Sequence, residues 1–353
     1  MRIAISWNEL PPYGARCIKA AIQQCPYPVD VIGTRPTVPL KGVDEILPGI
    51  RWVDRNKVVS WADVGVETPD LFFQAGWYIP AFIGLGAQVR ASGKPVVLLA
   101  DNAWKNTPRQ WMGAFKYRLS YRGQFVAVWV PGAMGVKLMT FFGVRPDRIF
   151  DGLYGTDPEL FQVGPPLDER PKTFVFVGRL TNLKGIPELA SAFEKFRSQR
   201  TDWKLVVFGD GECRGLVERR PGIEFRSFAQ PNEVAAGLRS TRFLILPTLT
   251  DNWPLVVSEA ALSGCGLLLS DKVGNRSEFL GRSNGQVFRV RSADSLVQAM
   301  LWAARMDDDQ LRKAGEESRR LGELFTPSRW AKQFGRIADV VRTFPAGTNR
   351  PQR

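Results

Sequence analysis

The sequence of 353 residues contains no histidine. This absence excludes nucleophile systems that depend on a histidine base, such as the Ser-His-Asp triad. It also excludes His-ligated zinc and haem sites. Cysteine is scarce as well, since Cys17, Cys25, Cys213 and Cys265 are the only four and none forms a CxxC pair. This spacing indicates neither a disulfide framework nor a zinc site, and it is typical of a reducing compartment.

Long hydrophobic runs are also missing from the sequence. The longest uncharged segment covers 19 residues, 71–89, and it contains Pro80 and three glycines, which argues against a membrane span. The first residues, MRIAISWNELPPYG, contain no apolar stretch long enough for a signal peptide. We therefore predict a cytoplasmic protein, with peripheral attachment to the inner face of a membrane left open.

The chain is basic, with 48 Lys and Arg against 35 Asp and Glu and a net charge of +13. A surplus of this size favours anionic partners such as nucleotides, nucleic acid or an acidic membrane face. The sequence has no zinc finger, no RRM-type aromatic motif and no dense basic helix, so we predict no nucleic-acid partner.

Residues 105–122 carry five cations and no acid, with aromatic residues at four positions. Such a segment can lie on an anionic membrane surface near a lipid-linked acceptor. The alternative is a cleft-lining or surface helix whose long cations cover apolar area. On a regular helical wheel Arg118 and Arg122 share the face of Trp111, so the polar and apolar faces are not cleanly separated and both interpretations stay open.

Short apolar runs alternate with helical patterns along the whole chain, which predicts doubly wound α/β domains with parallel sheets. The predicted strands lie near 2–6, 29–33, 71–73, 96–100, 125–130, 148–150, 173–178, 204–209, 223–228, 242–247 and 266–270. The proline-rich residues 162–172 predict an interdomain linker. We therefore predict an N-terminal domain over 1–165 and a C-terminal domain over 166–325.

The last segment, 326–353, predicts a helix that begins at Pro327 and packs back toward the N-terminal domain. Its apolar residues, Trp330, Phe334, Ile337 and Val341, recur at helical spacing. We expect the tail after Phe344 to be frayed.

In open α/β sheets, ligands bind beyond the carboxyl ends of the strands. The strand 173–178 ends at Gly178, which permits a tight turn, and Arg179 and Lys184 follow before a helix. Helix N-termini with cations suit a diphosphate, although the order of residues is not that of a Walker A loop. The alternative is a glycine turn with two solvated cations.

A second group follows the strand 242–247. Pro254 is placed to open a helix, so the amides of Leu255 and Val256 would point toward phosphate oxygens. Asp251 lies in the loop before it, and Glu259 falls within an apolar stretch, where an unpaired charge is costly. The alternative makes Asp251 a helix cap and Glu259 a solvated residue.

These segments carry a family resemblance. Residues 172–290 resemble the nucleotide-sugar-binding domain of family 4 retaining glycosyltransferases, which have the GT-B fold. The family carries a GRL…KG segment, a G-D-G turn and a Glu-x7-Glu motif followed by E-A-x-x-x-G. Here the corresponding segments read FVGRLTNLKG, VVFGDGE and DNWPLVVSEAALSGCGLLLSDKVGNRSEFL. The first half resembles the family in topology and in the junction GLYGTDPELF. The implied architecture is two Rossmann-like, doubly wound domains that face each other across a cleft.

The resemblance implies a role for each matching residue. Arg179 and Lys184 would hold the donor diphosphate in place of a metal ion, so we expect neither a metal nor a cofactor. Glu259 would bind the ribose hydroxyls, and Asp251 would face the transferred sugar. The remaining implied donor contacts are Gly178, Leu255 and Val256 at the phosphates, Asn275 and Glu278 near the sugar or phosphates, and Phe228 near the base.

The sequence also departs from the family. Asp251 stands where the family has Glu, one methylene longer, and the first-domain His is absent. Asp101 and Asn102 take the place of that His and are candidates to touch the acceptor. The usual Gly-Gly loop is replaced by residues 8–14, where Gly14 would let the backbone approach the phosphates.

Two functions follow as hypotheses. The first is an enzyme that transfers a sugar from a nucleotide-diphosphate sugar to a glycan or lipid-linked hydroxyl with retention of configuration, in polysaccharide, lipopolysaccharide or glycolipid assembly. Its reaction needs no protein base, because the leaving phosphate can take the acceptor proton. The alternative is a non-catalytic protein that binds a nucleotide or sugar, with Asp251 marking lost activity.

Overall fold

The computed structural model describes residues 1–38 and 40–344. The described residues form two units, one of Met1–Gly155 together with residues 326–344, and one of Thr156–Phe325. The tail after Phe344, expected to be frayed, lies outside the described residues. Within the described residues, the structure contains no helix with the length and apolar character needed to cross a bilayer.

The first unit is built on a seven-stranded parallel sheet with the order β3-β2-β1-β4-β5-β6-β7. The strands are β1 (Ile3–Trp7), β2 (Val29–Gly33), β3 (Arg51–Trp52), β4 (Leu71–Ala75), β5 (Val96–Leu99), β6 (Ala127–Trp129) and β7 (Ile149–Phe150). The helices between them are α1 (Pro12–Gln24), α2 (Val43–Ile46), α3 (Pro80–Ala91), α4 (Pro108–Lys116) and α5 (Ala133–Phe142). A π-helical turn, Tyr117–Tyr121, continues α4.

The second unit holds a six-stranded parallel sheet with the order β10-β9-β8-β11-β12-β13. The strands are β8 (Thr173–Val177), β9 (Lys204–Phe208), β10 (Ile223–Arg226), β11 (Phe243–Leu246), β12 (Gly266–Ser270) and β13 (Gly285–Phe288). The helices are α6 (Ile186–Arg197), α7 (Pro231–Arg239), α8 (Leu255–Leu262), α9 (Arg276–Phe279), α10 (Ala293–Ala304) and α11 (Asp308–Gly322). The central strands β8, β9, β11 and β12 are buried along nearly their whole length, as expected for strands covered on both faces.

The predicted α/β class with two parallel sheets is confirmed, and each predicted strand has a counterpart. The strand predicted over 223–228 ends at Arg226, before Phe228. Two strands were not predicted. The strand β3 has only two residues, and the edge strand β13 exposes Gln286 and Val287, so neither shows a continuous apolar run.

The proline-rich segment 162–172 packs within the second unit, and the two units meet in the chain at 155/156, before the predicted 165/166 boundary. The reason is Arg170, whose guanidinium is buried and donates to the carbonyl oxygens of Thr241 at 2.9 Å and Ser263 at 2.7 Å. Leu167 is buried beside it. Proline marks irregular backbone here, but a buried arginine fixes that backbone to one unit.

The last helix, α12 (Pro327–Arg342), begins at the predicted residue, and the Thr326 hydroxyl accepts a hydrogen bond from the Arg329 amide. The helix belongs to the first unit, where it packs along α1. Its predicted apolar positions, Trp330, Phe334, Ile337 and Val341, are all buried.

Candidate functional site

Four loops at the carboxyl ends of β8, β9, β11 and β12 pack together in the second unit. Gly178 follows β8 with φ of +153°, a conformation that favours glycine. A Cβ atom on Gly209, after β9, would collide with the Gly178 carbonyl oxygen. A Cβ atom on Gly185, just before α6, would collide with the Pro247 carbonyl oxygen after β11. Glycine is therefore required where these loops approach each other.

Lys184 and Asp251 join the loop after β8 to the loop after β11. The Lys184 Nζ lies 2.5 Å from Asp251 Oδ2, and the two side chains have exposed fractions of only 21% and 19%. The Leu249 amide donates to the Leu183 carbonyl oxygen at 2.8 Å, which fixes the same two loops through the backbone. The ion pair thus places one cation and one carboxylate at a shared, partly sheltered position.

The start of α8 lies between the loops after β11 and β12. The helix begins at Leu255, directly after Pro254, so the amides of Leu255 and Val256 belong to the first turn and have no intrahelical acceptor. The buried Asn275 side chain donates through Nδ2 to the Pro254 carbonyl oxygen at 3.0 Å. The Asn275 side chain therefore holds the entrance of the helix in place.

Asp251 is also fixed by its own backbone. It forms an isolated parallel bridge with Val273, and its carbonyl oxygen accepts a hydrogen bond from the Gly274 amide at 2.9 Å. A Cβ atom on Gly274 would collide with the Asn252 carbonyl oxygen. Asp251 is thus held by contacts that the sequence pattern did not indicate.

Glu259 lies within α8 and remains partly accessible. Its carboxylate makes no hydrogen bond or ion pair within the part of the chain that the structure describes, and burial alone raises its pKa to about 7. A carboxylate in such surroundings gains strongly from donors that a ligand supplies. The sequence analysis predicts a functional role for Glu259 because an unpaired charge in an apolar stretch is costly, and that role stays a prediction.

Three further predicted donor residues lie at the surface or near it. Arg179 is exposed. Phe228 is 44% exposed and lies two residues beyond β10. Glu278, in α9, is partly buried and accepts a hydrogen bond from the Ser277 hydroxyl at 2.7 Å.

The predicted acceptor residues lie in the first unit. Asp101 and Asn102 follow β5 and are both exposed. Asp101 hydrogen-bonds to Tyr154; burial, and after it the negative charge of Asp101, raises the pKa of that phenol well above its ordinary value. The Tyr154 ring also packs edge-on to Tyr13, with centroids 5.9 Å apart. Sequence reasoning missed Tyr154, because GLYGTDPELF served only as a junction motif.

Gly14 lies inside the first turn of α1. It is buried, and a Cβ atom there would approach Leu10 and Trp7 to 3.0 and 3.2 Å. The close packing of this helix on Trp7 is sufficient to explain a glycine at that position.

Chemically, the second unit offers a site for an anion and a sugar. A lysine, an exposed arginine and two amides at a helix start suit phosphate oxygens, while Asp251 and Glu259 can accept from hydroxyl groups. Among residues 1–38 and 40–344, no group of three or more acidic or cysteine side chains is arranged to hold a metal ion.

Comparisons with known proteins single out the same part of the chain. Residues 171–305 match the family model described as Glycosyl transferases group 1. A Bacillus subtilis (strain 168) protein named for a glycosyltransferase role in teichuronic acid biosynthesis is 30% identical over 176 residues, which are 47% of this chain and 43% of that protein. The lipopolysaccharide 1,6-galactosyltransferase of Salmonella typhimurium (strain LT2) is 26% identical over 146 residues, 38% of this chain and 40% of that protein. The chain thus matches less than half the length of these two relatives.

The fold has close counterparts among solved structures. An Anabaena protein crystallised in complex with UDP superposes with a TM-score of 0.75 at 13% identity, over 98% of this chain and 100% of that chain. At such low identity the likeness concerns the fold alone. Taken together, these findings show that the second unit is similar to the family Glycosyl transferases group 1 over residues 171–305 and that the chain has the GT-B fold.

Proposed function

We propose that this protein transfers a sugar from a nucleotide-diphosphate sugar to an acceptor hydroxyl, with retention of the anomeric configuration. The observation that carries the proposal is the Lys184–Asp251 pair, which joins the loop after β8 to the loop that leads into α8. An anion site and a sugar-facing carboxylate in contact are what such a donor requires. UDP bound to the structurally similar Anabaena protein supports a nucleotide donor.

Donor binding uses charge and backbone dipoles together. Arg179, Lys184 and the amides of Leu255 and Val256 bind the two phosphates, because helix starts and cations both attract anions. Glu259 accepts hydrogen bonds from the two ribose hydroxyls, and Asp251 accepts from the transferred sugar. The exposed ring of Phe228 stacks on the base, and Asn275 positions the helix start.

Transfer exchanges one bond at the anomeric carbon for another. The bond from that carbon to the diphosphate oxygen breaks with its electron pair on the phosphate, and a bond to the acceptor oxygen forms on the same face. The acceptor proton passes to the leaving phosphate oxygen. Fixed cations and amides stabilise the charge that develops on the diphosphate without reorganising. The protein therefore supplies electrostatics rather than a base.

The acceptor is a glycan or a lipid-linked sugar that the first unit receives near Asp101, Asn102 and Tyr154. The relatives' names, which refer to teichuronic acid and lipopolysaccharide, favour assembly of a cell-surface glycan. Independence from metal ions and a cytoplasmic location stay predictions.

A non-catalytic nucleotide-binding protein is the second candidate. The Asp251 carboxylate is a methylene shorter than the family's Glu and is already engaged by Lys184. A donor would have to compete with that ion pair for the carboxylate, which favours binding without turnover.

The test is a panel of UDP-, GDP- and ADP-sugars, with binding followed by thermal shift and turnover followed by release of the nucleoside diphosphate. A ligand that binds the folded protein alone raises its unfolding temperature. We expect one base to bind and release to follow slowly, since water can replace the acceptor. Binding without release on any acceptor would support the second candidate, and failure to bind any nucleotide sugar would contradict both.

The control separates the site from general basicity. Lys184→Met should weaken binding at least about tenfold, the loss expected for one charge-assisted contact. Lys204→Met removes an equally positive side chain at the amino end of β9. This position is at the end of the strand opposite to the site. Lys204→Met should leave binding unchanged.

A further inference from the structure

The helix α4 and the π-helical turn after it expose an unusual amount of apolar surface. Trp111, Met112, Phe115 and Leu119 have exposed fractions of 57%, 69%, 67% and 70%. We call these four side chains the 111–119 patch. Large apolar side chains grouped on one helical segment indicate an interaction surface, whereas single ones do not.

The exposure does not come from a loosely attached helix. Its inner face is anchored by the buried residues Ala114 and Tyr117, and the Tyr117 ring lies 5.7 Å from Trp77 and 5.5 Å from Phe142. The Thr107 hydroxyl caps its first turn by accepting from the Gln110 amide. The patch is therefore the outer face of a helical segment whose inner face is packed through Ala114 and Tyr117.

The π-helical turn separates the cations from this patch. The Arg122 amide donates to the Tyr117 carbonyl oxygen at 2.8 Å, five residues back, so the chain turns more slowly there than in an α-helix. The wider turn therefore rotates Arg122 away from the position that a regular helix would give it on the face of Trp111. The regular wheel, which placed Arg122 on that face, is wrong for this segment.

Hydrogen bonds hold the Arg118 side chain away from the 111–119 patch. Its Nη2 donates to the Phe141 carbonyl oxygen at 2.8 Å, and its Nε donates to that of Phe142 at 3.3 Å. The guanidinium thus lies against the end of α5 and leaves the apolar side chains uncovered. The regular wheel placed Arg118 and Arg122 among the apolar side chains. The π-helical turn and these hydrogen bonds remove both cations from that face, so the segment is amphipathic.

The stretch of sequence that contains the patch carries charge of one sign. Between Asp101 and Asp147 the sequence has no acidic residue and seven cations. The seven are Lys105, Arg109, Lys116, Arg118, Arg122, Lys137 and Arg145, and all are exposed. Arg145 is paired with Asp147 at 2.9 Å, so it adds little to the surplus charge. A second copy of the chain would place the same cations against one another, so self-association through this face is opposed by repulsion.

We propose that the 111–119 patch docks on an anionic lipid surface, with its apolar side chains at the boundary of headgroups and acyl chains and the neighbouring exposed cations on the headgroup phosphates. Trp and Arg suit this position, because each has an apolar body and a polar end. This docking does not depend on the proposed transfer reaction. It would bring the first unit close to a lipid-linked substrate.

The test is co-sedimentation of the full chain with vesicles of phosphatidylcholine alone or mixed with phosphatidylglycerol. We expect sedimentation only with the anionic vesicles, and less of it as salt is raised. Replacing Arg109 and Lys116 by Gln should weaken partitioning about fivefold for each charge, the factor expected for a cation near an anionic surface. Equal sedimentation with both kinds of vesicle, or with neither, would overturn the proposal.

A second variant tests the apolar contribution. Trp111→Ser/Phe115→Ser/Leu119→Ser should abolish vesicle binding, whereas Val58→Ser, at a 73% exposed valine of the same unit, should not. Circular dichroism and nucleotide-sugar binding, both expected to be unchanged, show that the variant is folded. If the triple variant binds vesicles as wild type does, or if it instead converts a dimer to a monomer, the proposal is wrong.

Discussion

At the scale of single residues, the ionisation of Glu259 gives a prediction with a defined sign. Burial raises its pKa from the ordinary value to about 7, so the folded protein holds a proton there under mildly acidic conditions. Ribose hydroxyls donate best to the ionised carboxylate. We therefore expect nucleotide-sugar affinity to increase about tenfold per pH unit below the pKa and to level off above about 7. Titration calorimetry across this range measures it.

The pH dependence of the free energy of unfolding tests the raised pKa of Glu259 without a ligand. The unfolded chain loses the Glu259 proton first as pH rises from 4.5, so the folded state loses stability until about pH 7. Glu259→Gln carries no such loss, so at alkaline pH it should be more stable than wild type by about 1–3 kcal/mol, since its position is only partly sheltered. A flat difference between variant and wild type across pH would contradict the raised pKa.

The sequence predicts candidate residues better than it predicts their partners. Glu259 could be singled out because a charged residue stood within an apolar run, which is a local signal. The contact between Lys184 and Asp251 joins residues 67 positions apart, and the contact between Asp101 and Tyr154 joins two loops. Such pairs depend on the order of the strands in the sheet, and local sequence patterns do not predict that order.

At the scale of elements, the approach of the β8 loop to the β11 loop depends on Gly185. Its φ is +72°, and a Cβ atom would collide with the Pro247 carbonyl oxygen. We expect Gly185→Ala to lower the free energy of unfolding by about 1–3 kcal/mol from backbone strain, and to weaken nucleotide-sugar binding because Lys184 moves with the loop. Urea denaturation and binding titration measure the two effects.

The matched control is Gly335→Ala in α12. This glycine lies within a helix and has no neighbour within 4 Å of the position of a Cβ atom. Alanine there should raise stability by about 0.5–1 kcal/mol through helix propensity. If Gly185→Ala also raised the free energy of unfolding, the close packing of the two loops would not require a glycine at position 185.

Elements with a continuous signal could be predicted, and those with a broken one could not. The buried strands and α12 follow from apolar runs and from a helical repeat that begins at Pro327. The π-helical turn at Tyr117–Tyr121 could not be predicted, because a regular wheel assumes a constant turn angle. That single irregularity decides whether cations and apolar side chains share a face.

At the scale of the whole molecule, the chain leaves the first unit at Gly155 and returns to it at Thr326. The returning helix completes a core that the first 155 residues begin. Phe334 stacks on Phe73 of β4 with ring centroids 4.5 Å apart, and Trp330 lies 4.7 Å from Trp129 of β6. A discontinuous unit of this kind makes the stability of the N-terminal sheet depend on residues near the end of the chain.

Phe334→Ala tests that dependence. Removing a buried ring should cost the first unit about 3–5 kcal/mol, because a cavity opens against β4. Amide hydrogen exchange followed by mass spectrometry should therefore show lost protection in β1, β4 and α1, while β8 and β11 keep theirs. Arg336→Ala, at an exposed position of the same helix, should change neither set. Equal loss of protection in β8 and β11 would contradict the assignment of α12 to the first unit alone, since the damage would then follow the chain rather than the core.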